Sequence, residues 1–314
     1  MSRVAAIDCG TNSIRLLIAD VQPGATPRLT DIVREMRVVR LGQGVDATGE
    51  FAQEALDRTL SATADFAELI RRHGARKVRF VATSATRDAG NRQIFIDGVR
   101  ELLGVEPEVI TGVEEAALSF AGAGSVLPSR GQDPVLVVDL GGGSTEFVLG
   151  NADGVTAAFS VDVGCVRMTE RHLRDDPPTA EQIAAAEADV DAAISEAAKT
   201  VPLERTTAVV GVAGSVTTIT AHALDLPEYL PQTIHGTELP LEAVRRACTE
   251  LLEMSRAERA SLPYMHPGRV DVIGAGGLVW RRVLARLAEV TEGRVTTAFT
   301  SEHDILDGIA LSIS

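Results

Sequence analysis

Lysine, cysteine and aromatic side chains are all scarce in this chain. Its 314 residues carry lysine only at positions 77 and 199, three cysteines, and 4% Phe, Trp and Tyr. Without lysine, nearly all positive charge falls to arginine. That suits bidentate phosphate recognition by guanidinium forks. It suits equally well the codon bias of a GC-rich genome, with Ala, Gly and Val also abundant. The cysteines (Cys9, Cys165, Cys248) are odd in number, far apart and without a CxxC. They read as reduced thiols, which excludes a disulfide or zinc framework and points to the cytoplasm. No apolar run approaches the roughly 18 residues of a membrane helix, and the start, MSRVAAIDCGTNS, has no long apolar core of a signal peptide. A net charge of −14 excludes general affinity for nucleic acid or anionic membranes. An anionic substrate must then be held by a local basic site. The histidines lack metal-ligand spacing such as HExxH, and no GxSxG elbow, P-loop or Rossmann fingerprint occurs.

What is present is ordinary globular composition, 45% hydrophobic and 24% charged, at a length that suggests two domains or one large α/β domain. An internal echo favours two. Ala5–Ile18 and Leu136–Leu149 each read as an apolar strand, then Asp-x-Gly-x-x-Ser, then a second apolar strand. Each is a β-hairpin closed by a glycine turn. Two hairpins of one design predict a duplicated α/β fold whose halves face each other. Between them the pattern predicts a strand at Leu29–Val39, a helix at Phe51–Arg72 stopped by His73-Gly74, a strand at Val78–Ala82, a helix at Asp88–Leu103, a strand at Val105–Ile110 and a helix at Gly112–Ala123. A loop, Ser125–Pro134, precedes the second hairpin. Beyond it come helices at Thr179–Thr200, Thr217–Leu224, Leu239–Met254, Val270–Leu287 and Asp304–Ile313, and strands at Val155–Val161, Ala208–Val212 and Val295–Phe299. The segment Gly274-Ala275-Gly276-Gly277 predicts close helix packing.

The paired turns carry the strongest chemical signal. Glycine lets backbone N–H groups approach an anion, and Ser/Thr hydroxyls add donors. An Asp at a strand end can hold Mg²⁺ through water. Asp139 and Glu146, one strand apart, can reach one cation. In Thr111-Gly112-Val113-Glu114-Glu115, Thr111 and Glu114 have capping-box spacing. Glu115 is left to orient and deprotonate a water, or simply to favour a helix N-terminus as acidic residues do. Thr83–Asp88 follows a buried strand and starts a helix, where anions bind. Arg87 there either clamps a phosphate or pairs with Asp88. Gly211–Thr218 either caps another phosphate or a nucleotide, or serves as a plain helix start.

Together these segments resemble the exopolyphosphatase / guanosine pentaphosphate phosphohydrolase family of the actin–sugar kinase–Hsp70 superfamily. Asp8–Ser13 resembles its first phosphate motif, Arg40-Leu41-Gly42-Gln43-Gly44 its RLGxG segment, Thr83–Asp88 its TSAxRD motif, Gly112–Glu115 its Gly-x-Glu-Glu and Asp139–Glu146 its DxGGGSTE motif. Gly164–Arg167, Gly211–Thr218, Ile234–Gly236, Arg269–Ile273 and Ser301–Gly308 continue the match, and the spacings resemble the short exopolyphosphatase 2 type of actinobacteria. The resemblance implies a duplicated actin-like (ribonuclease H-like) ATPase fold with a central cleft. Its domain I is 1–119 plus 301–314, and its domain II is 120–300. It implies a phosphoanhydride hydrolase releasing terminal orthophosphate from inorganic polyphosphate with Mg²⁺, or Mn²⁺ in its place. The alternative is hydrolysis of pppGpp to ppGpp; a superfamily kinase and a non-catalytic sensor are further readings. Glu115 matches the catalytic base. Gly10, Thr11, Asn12, Ser13, Arg87, Gly141, Gly142, Gly143, Ser144, Thr145, Gly214 and Ser215 match phosphate-binding positions. Asp139, Glu146 and Asp8 match the metal region. A homodimer is implied, as is loss of the HD-like extension with which longer members hold long polymers.

Overall fold

The structure, a computed structural model, describes residues 2–22, 24, 28–126 and 132–313. The chain forms two compact units, residues 1–122 with 305–314 and residues 123–304.

In the first unit, β1 (Ser2–Cys9), β2 (Ser13–Gln22) and β3 (Arg28–Val38) form an antiparallel meander. β4 (Lys77–Ala82) and β5 (Glu108–Val109) continue the sheet in parallel, giving the order β3-β2-β1-β4-β5. Its helices are α1 (Val45–Thr48), α2 (Gln53–His73), α3 (Ser84–Asp88), α4 (Arg92–Leu103) and α5 (Gly112–Gly122). α2 buries Ala55, Leu56, Thr59, Ala62, Thr63, Phe66, Ala67 and Ile70, the three-and-four spacing of one helix face. It ends at Gly74, whose left-handed backbone returns its N–H to Arg71 and Ile70 carbonyls.

In the second unit the pattern repeats. β6 (Val135–Leu140), β7 (Thr145–Asn151) and β8 (Gly154–Val161) form the meander. β9 (Ala208–Val212) lies parallel to β6, and β11 (Thr297–Thr300) parallel to β9. β10 (Glu238–Pro240) is an added antiparallel edge, so the order is β10-β11-β9-β6-β7-β8. Read from β8, this is the first unit's order again, the duplicated actin-like arrangement. The helices are α6 (Cys165–Arg171), α7 (Ala180–Ala197), α8 (Ala213–Ala223), α9 (Pro231–Ile234), α10 (Leu241–Glu253), α11 (Arg256–Ser261) and α12 (Ile273–Val290). Gly277 brings α12 onto α10, since a Cβ there would stand 2.8 Å from the Cys248 carbonyl oxygen.

The last helix, α13 (Ile305–Ser312), belongs to the first unit. It explains why β1 is apolar at successive positions. Ala5 and Ile7 pack in a core with Leu56, Phe66 and Phe95 from α2 and α4, while Val4 and Ala6 pack with Leu118, Ile305, Leu306 and Ile309 from α5 and α13. A strand covered on both faces cannot alternate. Arg34 anchors α13 by donating to both Asp307 carboxylate oxygens at 3.1 and 2.6 Å.

Several expected elements are shorter or divided. The helix expected over 88–103 begins at Arg92; Asp88 instead ends the short α3, and Asn91, before α4, exchanges two hydrogen bonds with the Phe51 backbone. The strand expected at 105–110 pairs only at Glu108–Val109. The helix expected from Thr217 begins at Ala213, and that expected from Val270 begins at Ile273. α6 and α11 were not foreseen, being short and without apolar periodicity. Of the loop expected over 125–134, residues 127–131 lie outside the described residues. No helix among the described residues is long and apolar enough to cross a membrane.

Candidate active site

In the first unit, parallel pairing sets Cys9 beside Ala82, so the β1–β2 turn and the start of α3 emerge together. The turn closes with Gly10 N–H donating to Ser13 O at 2.9 Å. Its next two carbonyls are taken from behind. Gly42 N–H donates to Thr11 O, and Val39 and Arg40 N–H groups donate to Asn12 O. Thr83 N–H donates to Cys9 O, and the Thr83 hydroxyl lies 4.0 Å from where a Gly10 Cβ would be. The Thr83 side chain lies near enough to Glu115 to favour its ionised form slightly. Arg87 Nη1 donates to Glu115 Oε2 at 2.7 Å and to Ile110 O at 3.1 Å. Turn, threonine, carboxylate and arginine are thus contiguous.

Glu115 is 7% exposed. Burial pushes its carboxyl above the usual range; Arg87 opposes this and Asp8 adds to it. Glu114 has a separate task. Its N–H donates to the Thr111 hydroxyl oxygen, but its carboxylate accepts from Arg79 instead of completing a capping box. Asp8, expected near a metal, is buried and accepts from Arg15 Nε and Nη2 at 2.9 and 2.6 Å. Its charge is already met by a guanidinium, so a cation there would gain less.

In the second unit, β6 and β9 stand side by side with Asp139 opposite Val212. Gly141 N–H donates to Ser144 O at 3.0 Å, the same closure. Here the turn carbonyls face the start of α6. Cys165 N–H donates to Gly141 O, Val166 N–H to Gly142 O, and Arg167 Nε to Gly143 O at 2.7 Å. A peptide's C=O and N–H point opposite ways. Binding the carbonyls therefore turns the following N–H groups to the other side. No protein acceptor among the described residues takes the N–H of Thr11, Gly142 or Gly143. Successive N–H groups such as those of Gly142 and Gly143 have the form that can receive an anion. Thr145 is fully buried, and its hydroxyl donates to Val163 O at 2.5 Å, which shapes the loop.

Asp139 and Glu146 are register partners and stand on one face of the sheet, about 5 Å apart at Cβ. They are 5% and 0% exposed. Two buried carboxylates so close call for positive charge. Mg²⁺ is commonly held by one or two carboxylates with waters and phosphate oxygens, and this pair fits that donor set. Among the described residues no group of three or more His, Cys, Asp or Glu gathers as for a softer metal. At the end of β9, Ala213 adopts a left-handed φ of 71° before Gly214 and Ser215. The Arg269 guanidinium lies on Gly214, 2.2 Å from where a Cβ would be, and donates to Thr218 Oγ1 at 2.9 Å.

Residues 17–312 match the Ppx/GppA phosphatase family. The chain belongs to that family. It is 51% identical to Exopolyphosphatase 2 of Mycobacterium tuberculosis over 320 aligned positions, covering 100% of this chain and 99% of that one. Over 189 positions it is 38% identical to the guanosine-5'-triphosphate,3'-diphosphate pyrophosphatase of Photobacterium profundum, covering 60% of this chain and 36% of that one. A crystal structure of an exopolyphosphatase-like protein superposes with a TM-score of 0.93 at 49% identity, covering 98% of each chain. Within this Ppx/GppA chain, sequence reasoning missed Thr83 as a neighbour of Glu115, Arg15 as the counter-ion of Asp8, and Arg269 over Gly214. Arg15 had a signal, for it stands seven residues after Asp8 as Glu146 stands seven after Asp139. The other two depend on contacts between distant segments.

Proposed function

We propose that the chain is an exopolyphosphatase, a phosphoanhydride hydrolase that releases terminal orthophosphate from inorganic polyphosphate by water attack. The observation that carries this is the buried Glu115 carboxylate, paired with Arg87 in the same unit as a glycine turn whose Thr11 N–H meets no protein acceptor among the described residues. A carboxylate whose proton affinity is raised by burial is suited to take a proton from water. Arg87 holds it in place and has further N–H groups for a phosphate oxygen. The turns Gly10–Ser13 and Gly141–Ser144, with Gly214 and Ser215, are read as phosphate cradles. A divalent cation, Mg²⁺ or Mn²⁺, held at Asp139 and Glu146 would offset charge on the phosphoryl and leaving oxygens. Most of the rate enhancement then comes from positioning and charge stabilisation.

The names carried by the relatives support this reading, and the two compact units are read as the two actin-like domains. The same reading includes a homodimer working in the cytoplasm, which sedimentation and fractionation test. The Photobacterium relative supports pppGpp as a second substrate, since it too ends in a phosphoanhydride. The deciding experiment is a Mg²⁺-dependent assay on polyphosphates of defined length and on pppGpp, without any acceptor. Orthophosphate release from polyphosphate that exceeds release from pppGpp bears the proposal out. Transfer to an acceptor would point to a kinase, and binding with no turnover to a sensor.

A further inference from the structure

We propose that Gly42 and Gly164 are positioning residues, each lacking a side chain so that a neighbouring segment can close behind an anion turn and fix its N–H groups. The inference rests on the phosphate-binding reading of the two turns. Neither glycine serves for its backbone freedom. Gly164 is extended, with φ −148° and ψ 167°, which any residue adopts. Gly42 likewise has no left-handed φ. Space is what excludes a side chain. A Cβ on Gly42 would stand 2.4 Å from Thr11 Cγ2 and 3.0 Å from Ala85 Cβ. A Cβ on Gly164 would stand 2.4 Å from Gly142 O and 2.6 Å from Gly143 N.

These contacts sit where the turn carbonyls are held. Gly42 itself donates to Thr11 O, two residues after Arg40 takes a left-handed φ of 51° to reach Asn12 O. Gly164 precedes Cys165 and Val166, which hold Gly141 O and Gly142 O. The two segments share no secondary structure, a loop in one unit and a helix start in the other. They nevertheless perform the same task. Each fixes peptide planes of a turn by holding its carbonyls: Thr11 O and with it the Asn12 N–H in the first turn, Gly141 O and Gly142 O and with them the Gly142 and Gly143 N–H groups in the second. Gly74 and Gly104 are the contrast. Both end helices at φ 69° and 68°, and a Cβ on either meets nothing.

The test uses the full chain with tripolyphosphate as substrate and inorganic phosphate as competing ligand. Circular dichroism and thermal melts establish folding. Gly42→Ala and Gly164→Ala are expected to raise KM and the phosphate inhibition constant by on the order of tenfold or more, as N–H bonds to a charged group are misaligned. kcat should change by less than about threefold, the mark of lost uniform binding. Gly104→Ala, strained at a distant helix end, should lower Tm and leave KM unchanged. Thr11→Ser removes the methyl that a Gly42 Cβ would strike and keeps the hydroxyl. The double variant Thr11→Ser/Gly42→Ala should therefore return KM to within about threefold of Thr11→Ser alone. It also carries the test if Gly42→Ala does not fold. Unchanged KM in both single variants, or a double variant that stays weak or unfolded, overturns the proposal. A wild-type protein that binds phosphate but releases none would sink the hydrolase reading and leave the positioning claim to be judged on the binding data.

Discussion

The two hairpins share backbone, turn closure and an aspartate at the end of the first strand, yet they differ at the residue opposite that aspartate. In the first unit Asp8 faces Arg15, and in the second Asp139 faces Glu146. The first pair sums to zero charge and forms an ion pair. The second sums to two negative charges when ionised. One scaffold thus places an acid opposite a base in one copy and an acid opposite an acid in the other. Duplication supplied the geometry twice, and one side chain per copy divided the chemistry.

The sharpest way to break this comparison is on the side of the first unit. Glu115→Gln keeps the shape and removes the base, and kcat should fall by on the order of 10²–10⁴ in a phosphate-release assay. A near-normal rate would take Glu115 out of the mechanism. Next, Arg15→Met leaves Asp8 as a buried charge without its guanidinium. Stability should drop by about 3–5 kcal/mol in denaturant titration, whereas Glu146→Gln, which relieves a carboxylate pair, should not destabilise comparably. In turn, Glu146→Gln should weaken the dependence of rate on Mg²⁺ by about 10–100-fold, read from the half-saturating metal concentration. An unshifted Mg²⁺ curve would break the assigned division of labour.

The smallest effect expected is on pH dependence. Burial raises the Glu115 carboxyl and Arg87 restrains it. The acid limb of kcat/KM should therefore lie above the ordinary glutamate value of about 4.3. Arg87→Gln should move that limb higher still, because the restraining charge is gone. The linked stability has the opposite sense from an ion-paired acid. The folded state binds this proton more tightly than the unfolded chain, so the contribution of Glu115 is most favourable below the unfolded value. It is lost as pH rises through the folded one. A limb that falls on removing Arg87 would mean another group titrates.

Much of this was legible before any coordinates. The Asp-x-Gly-x-x-Ser echo predicted both hairpins, because strand–glycine–strand patterns are local and each strand is covered on both faces. Glu115 and Arg87 stood out through their motifs, although nothing in the local pattern says that they touch. The illegible part is long-range. Thr83 comes near Glu115 from 32 positions earlier in chain order, Arg269 lies over Gly214, and Asn91 precedes a helix while bonding Phe51. The role of Gly42 is hidden for the same reason: its crowding comes from Thr11 and Ala85, and a lone glycine in a loop reads only as a turn. The pairing of Asp8 with Arg15 was not foreseen, because the aspartate's own strand shows the carboxylate and its partner sits on the next.

The docking of α13 has a consequence for how the molecule comes into being. Residues 305–312 complete a core begun by residues 4–21, with Gly308 packed so tightly against Leu118 that a Cβ would stand 2.0 Å from its carbonyl oxygen. On the ribosome the continuous middle stretch can settle while it is still being made. The half translated first must wait, one flank of its sheet open, until residues 305–312 have been made and can seal it.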